Sequence, residues 1–185
     1  MASSALRSPR VRIGKEGDPA TEVTVVAGLL EGHRPPPPPP SSWAARPDSD
    51  VAIWCIRLEP GASWTLPPAR QPEAVRTLNV FRGSLRVADR VVQAPTAVRV
   101  RSDQEVELQG GPEETEILLL QGRPIGEPVV QHGPFVMNTR SEIQDAMFDY
   151  QRTQFGGWPF GDSAPVHGAQ PQRFAKHPDG RHEQP

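Results

Sequence analysis

The chain has 185 residues, 36% of them hydrophobic, with 23 prolines, 16 glycines and a formal net charge of −2. That much Pro and Gly excludes a helical bundle and suits strands and turns, while interspersed charge without a basic stripe argues against direct nucleic-acid binding. No apolar run approaches the ~20 residues of a membrane span, the first residues lack a signal-peptide core, and a lone cysteine, Cys55, excludes an intrachain disulfide or a cysteine-rich zinc site.

A cytoplasmic protein with no membrane contact is therefore expected. Residues 1–21 are polar and unpatterned and read as a flexible lead-in, or as a linker from sequence further upstream. The ordered domain is expected over residues 22–160. Its first strand is Glu22–Gly28, closed by Gly28. Six consecutive prolines, Pro35 to Pro40, form a stiff polyproline II segment. It reads as a strap over the barrel or across solvent, or as a ligand for an aromatic groove. Val51–Leu58 is a strongly apolar strand, and Cys55 within it is expected to be a buried, inert thiol. Glu59-Pro60-Gly61 is a turn. Strands follow at Ser63–Leu66, Arg76–Phe81, Ser84–Val87, Val91–Gln93, Thr96–Val100, Glu105–Leu108 and Thr115–Leu120. Turn signals every ~8–12 residues and period-two alternation argue an antiparallel sandwich or barrel.

One helix is expected, from Thr139 to about Gln154. Thr139 and Glu142 have capping-box spacing. Ile143, Ala146, Met147 and Tyr150 form one apolar face, expected to pack on a barrel wall. Phe155-Gly156-Gly157-Trp158 ends the helix, and residues 161–185 are a polar tail.

Gly133-Pro134-Phe135-Val136-Met137-Asn138-Thr139 is the most informative string. It follows Glu127-Pro128-Val129-Val130-Gln131-His132 and leads into the helix, with Pro124-Ile125-Gly126 before it and Asp149-Tyr150-Gln151 after. Together these motifs resemble the C-terminal domain of the pirin family, over roughly Val23 to Phe160. The resemblance implies an all-β cupin, a double-stranded β-helix, with one C-terminal α-helix packed on it. Pirins resemble quercetin-cleaving dioxygenases in one role and iron-dependent transcriptional regulators in another, with the iron in an N-terminal cupin. That metal-binding cupin is expected to be absent from this chain.

The resemblance also allows a test of the metal slots. Cupins are similar in a first motif of Gly, five residues, His-x-His, three or four residues, Glu, six residues and Gly. Counted from Gly61, the histidine slots fall on Pro67 and Ala69. Counted back from Gly83, the glutamate slot falls on Arg76, with Glu73 an alternative carboxylate. The histidine slot of the second motif falls on Val100. None of these four carries an imidazole or carboxylate, and arginine offers no lone pair. No metal, no cofactor and no catalytic residue is therefore expected.

His33, His132, His167, His177 and His182 are scattered, with no pair at ligand spacing. His132 reads as a turn residue bonded to nearby backbone, or as a contact to a partner. Trp43, Trp54, Trp64 and Trp158 could line a pocket for an aromatic ligand, but Trp54 and Trp64 are expected to fill the barrel and Trp158 to hold the helix end. These features lead to an expected metal-free interaction or ligand-binding module. Its partner would be another cupin, or a second copy, on an exposed barrel face. The alternative is one part of an iron-dependent dioxygenase whose catalytic cupin lies elsewhere.

Overall fold

The computed structural model describes residues 8–158, 161, 174–177 and 179–184. They fall into two compact units, one reaching Ile125 and one starting at Gly126.

The first unit is all-β. Its strands are β1 (Arg10–Ile13), β2 (Thr21–Ala27), β3 (Ala52–Leu58), β4 (Ser63–Leu66), β5 (Val75–Arg82), β6 (Ser84–Val87), β7 (Arg90–Gln93), β8 (Thr96–Val100), β9 (Val106–Gly110) and β10 (Thr115–Gly122). They form a six-stranded sheet, β1-β2-β3-β10-β5-β8, and a four-stranded sheet, β4-β9-β6-β7. All pairings are antiparallel.

Period-two alternation decides which side chains go inside. From the larger sheet, Val23, Val25, Trp54, Ile56, Leu58, Leu78, Val80, Ile117 and Leu119 point inward; from the smaller come Trp64, Leu66, Leu85, Val87 and Leu108. They meet in one core, and each fully buried Leu or Ile stabilises it by about 1.5–3 kcal/mol. Trp54 and Trp64 sit here as expected, with ring centroids 6.2 Å apart.

Three expectations for this unit need correction or sharpening. Residues 10–13 are not an unpatterned lead-in. Arg-Val-Arg-Ile alternates, Val11 is buried, and the segment pairs with β2 from Arg10 opposite Thr24 to Ile13 opposite Thr21. Cys55 is not buried either. The alternation that sends Trp54 and Ile56 inward turns Cys55 outward, and it is exposed. The strap of prolines has a definite position. Pro35–Pro38 border a cavity of about 500 Å³ with the end of β2 and the segment around Arg46–Val51. Gly28, which ends β2 with φ +87°, is required there. A Cβ at that position would lie 2.6 Å from the Val51 carbonyl oxygen.

The second unit contains the hairpin β11 (Val130–His132) and β12 (Phe135–Met137), the helix α1 (Arg140–Thr153), and a short pair, β13 (Ala175–Lys176) and β14 (His182–Glu183). The capping box is present. Thr139 Oγ1 accepts from Glu142 N at 3.2 Å, and Glu142 Oε2 accepts from Thr139 N at 2.7 Å. Gln154 ends the helix in the left-handed conformation and donates its backbone N–H to the Tyr150 carbonyl. Of the apolar face, Ile143 is buried, whereas Tyr150 is 42% exposed. Tyr150 meets Phe135 and Phe155 edge-on, at centroid distances of 6.1 and 5.2 Å. The hairpin and helix are thus tied by aromatic edges. Most of the expected polar tail lies outside the described residues, but His182 pairs with Lys176 in the β13–β14 pair, and His177, just after β13, has Nε2 3.3 Å from Glu183.

Candidate functional site

Arg76 stands in the inward file of β5, followed by Leu78 and Val80. It is 1% exposed. Its partner across one side is Gln121 of β10, and across the other Val100 of β8; Gln121 in turn faces Ala52 of β3. A charge so enclosed needs acceptors. Arg76 Nε donates to Gln121 Oε1 at 2.7 Å, and Nη1 donates to the Pro67 carbonyl at 2.7 Å. Gln121 Nε2 then donates to the Asp50 carbonyl at 3.0 Å.

Asp50 is the nearby acid. It has φ 47° and is buried. Its carboxylate is taken by three other donors: Arg70 Nε at 3.0 Å, Arg70 N at 2.7 Å and Gln71 N at 2.9 Å. Arg76 itself makes no ion pair among the described residues. Burial pushes its pKa down and the field of Asp50 pushes it back up. A guanidinium starts so high that it stays charged throughout the physiological range.

Pro67, Ala69 and Arg76, three of the four positions matched to ligand slots, border one cavity of about 250 Å³ together with Gln121, Trp54 and Thr65. The fourth, Val100, is the β8 neighbour of Arg76. Glu73, the alternative carboxylate, is exposed and does not border that cavity. Among the described residues no three His, Cys, Asp or Glu side chains come together. Arg76 thus brings hydrogen-bond donors and a fixed positive charge to this end of the sandwich, beside the Asp50–Arg70 ion pair.

Gln121 and Asp50 were not singled out from the sequence as site residues, whereas Trp54 had a pocket reading as the alternative to barrel filling and borders this cavity. The one available signal was Gln121, a polar residue at an inward position of the otherwise apolar run of β10. The histidines do not converge here. His33 Nδ1 lies 3.2 Å from the Leu30 carbonyl, and His132 is exposed at the end of β11, opposite Phe135. His167 is outside the described residues. Trp43 donates its indole N–H to the Arg123 carbonyl at 3.0 Å and is flanked by the guanidinium groups of Arg46 and Arg123. Trp158 is exposed.

The Pirin C-terminal cupin domain family matches residues 53–156, the span from β3 through α1. This chain belongs to the pirin family. It is 44% identical over 106 residues to a pirin-like protein of Caulobacter vibrioides, covering 57% of this chain and 37% of that protein. It is 33% identical over 104 residues to pirin of Homo sapiens, covering 55% and 36%. The crystal structure of quercetin 2,3-dioxygenase from Acinetobacter baumannii superposes with a TM-score of 0.61 at 29% identity, covering 80% of this chain and 48% of that one. The pirin-family chain thus spans less than half the length of these relatives. The two antiparallel sheets are those of the cupin fold. No helix among the described residues is long and apolar enough to cross a membrane.

Proposed function

We propose that this pirin-family domain is a metal-free, non-catalytic binding module that docks a second cupin barrel on the outer face of its six-stranded sheet. The observation that carries this reading is a block of four outward side chains. Leu118 of β10 stands opposite Cys55 of β3, and Leu120 opposite Ile53, in two adjoining rows. Leu120 is 42% exposed and Cys55 is exposed too. Contiguous apolar surface of this kind marks interaction sites. A cupin is the partner of choice because the relatives carry more than as much chain again beside the matching part. The encounter belongs in the cytoplasm, where a free surface thiol such as Cys55 stays reduced.

The test is light scattering after size exclusion, on the chain alone and mixed with the N-terminal half of human pirin. A 1:1 complex that Leu120→Asp abolishes is the expected result. A chain that stays monomeric in the mixture overturns the reading, and self-association lost with the same substitution would make the partner a second copy. A second reading has its own support in the likeness to a quercetin 2,3-dioxygenase. In it, the domain is the non-metal half of a dioxygenase whose iron lies in the other barrel. Quercetin oxidation by the reconstituted pair, absent from either half, would favour it.

A further inference from the structure

The arginine of the inner cavity has more donors than partners. A guanidinium carries five N–H bonds in a flat fork. Gln121 and Pro67 take one each. Both acceptors are neutral, so Arg76 has no carboxylate in direct contact and feels Asp50 only through its field. The hydrogen bonds of the Asp50 carboxylate go to Arg70 and two backbone N–H groups, so none of them reaches Arg76.

A second donor in the same place also lacks an acceptor. Trp54 is 4% exposed and borders the same cavity, one inward position along β3 from Ala52. Its indole Nε1 is buried with no hydrogen-bond partner among the described residues. An unpaired buried donor is costly, and natural sites keep one where something accepts from it. The residues that carry these two donors, one of them charged, border the space beside Pro67, Pro68 and Ala69, and Asp50 and Arg70 border it as an ion pair whose charges offset each other. Glu31 also borders the cavity but is exposed.

We propose that this cavity binds a small monocarboxylic acid. The guanidinium of Arg76 and the indole N–H of Trp54 hold its carboxylate, and the proline and alanine side contacts its short apolar part. Planar carboxylate matches the planar fork of arginine better than a point charge does. At about 250 Å³ the space lies below the usual range for drug-sized ligands, which limits the acid to the size of benzoate or smaller. Such small ligands bind in roughly the millimolar range.

The probes are sodium acetate, propionate and benzoate, with acetamide and benzamide as neutral isosteres, all at matched ionic strength. The readouts are the NMR resonances of the Trp54 indole N–H, assigned with Trp54→Phe, and of the Arg76 Nε–H. The expected result is a saturable shift of both with at least one acid and none with its amide. Arg76→Met should abolish it. Trp54→Phe keeps an aromatic ring in place while removing the donor and part of the indole's volume, and should weaken binding roughly tenfold, read from the backbone amide of Gln121. This variant decides the matter if Arg76→Met does not fold. The proposal is overturned by no saturable shift well above about 1 mM of every acid, which would leave water as the acceptor. It is equally overturned by equal shifts from acid and amide, or by an unchanged affinity in Trp54→Phe.

Discussion

A guanidinium enclosed between two sheets keeps its place only while its neighbours accept from it. Arg76→Leu removes a buried charge and also strips Gln121 Oε1 and the Pro67 carbonyl of their donor. The expected cost is about 1–3 kcal/mol, read from the denaturation midpoint. Adding Gln121→Leu should cost less than the two single changes summed, because the pair is lost together. Strict additivity would show that the Arg76–Gln121 bond carries no coupling. Glu59 offers a pH test. Its Oε2 accepts from the backbone N–H of Ala20 at 2.8 Å and Oε1 lies 3.3 Å from Arg12. Chiefly through the Ala20 hydrogen bond, its pKa sits below the ordinary carboxylate value. A group with a depressed folded pKa stabilises above its unfolded value and loses that contribution as pH falls through the folded one. Glu59→Gln should therefore be less stable than wild type at neutral pH, and the gap should close in acid. A gap that stays constant with pH would rule this linkage out. The position of Arg76 was legible from the sequence, by counting back from Gly83. Its surroundings were not: Gln121 and Asp50 lie far along the chain, and only the register of β5, β10 and β3 brings them together.

At the scale of elements, local signals were the most readable. The capping box fixed the start of α1 at the expected residue because its bonds join positions three apart. Thr139→Ala should lower the stability of this helix by about 1 kcal/mol. Faster hydrogen exchange in the first turns of α1, with β3 and β10 unchanged, would report it; unchanged exchange would mean the cap is redundant. Strand β1 was harder to see. It has four residues, and its one buried side chain, Val11, is set among arginines. An edge strand of that kind exists through its pairing with β2, which is a long-range fact. The exposed face of Cys55 was legible in principle. The run Ala52–Ile56 looks uniformly apolar by composition, yet period two alone decides that Cys55 shares a face with Ile53 and not with Trp54.

For the whole molecule, Cys55 is a built-in reporter of the proposed docking face. In the free chain its thiol should be alkylated at the rate of an exposed cysteine, and in the complex with a cupin partner it should be protected. Alkylation at equal rates in both would place the partner elsewhere on the surface. The family and the cupin fold were evident from the Gly133–Thr139 string together with the strand pattern, because a signature is local sequence. The division at Gly126 was not drawn from the sequence, because the family match runs straight through the boundary, from residue 53 to residue 156.

Arg76 also has a consequence for how constant this end of the sandwich is. Its positive charge resides on a side chain joined covalently to the backbone. A chelator cannot strip it, a competing ion cannot exchange for it, and it has no second oxidation state. Whatever answers to that charge meets the same site in oxygen-rich and oxygen-poor surroundings, and in iron shortage as in plenty.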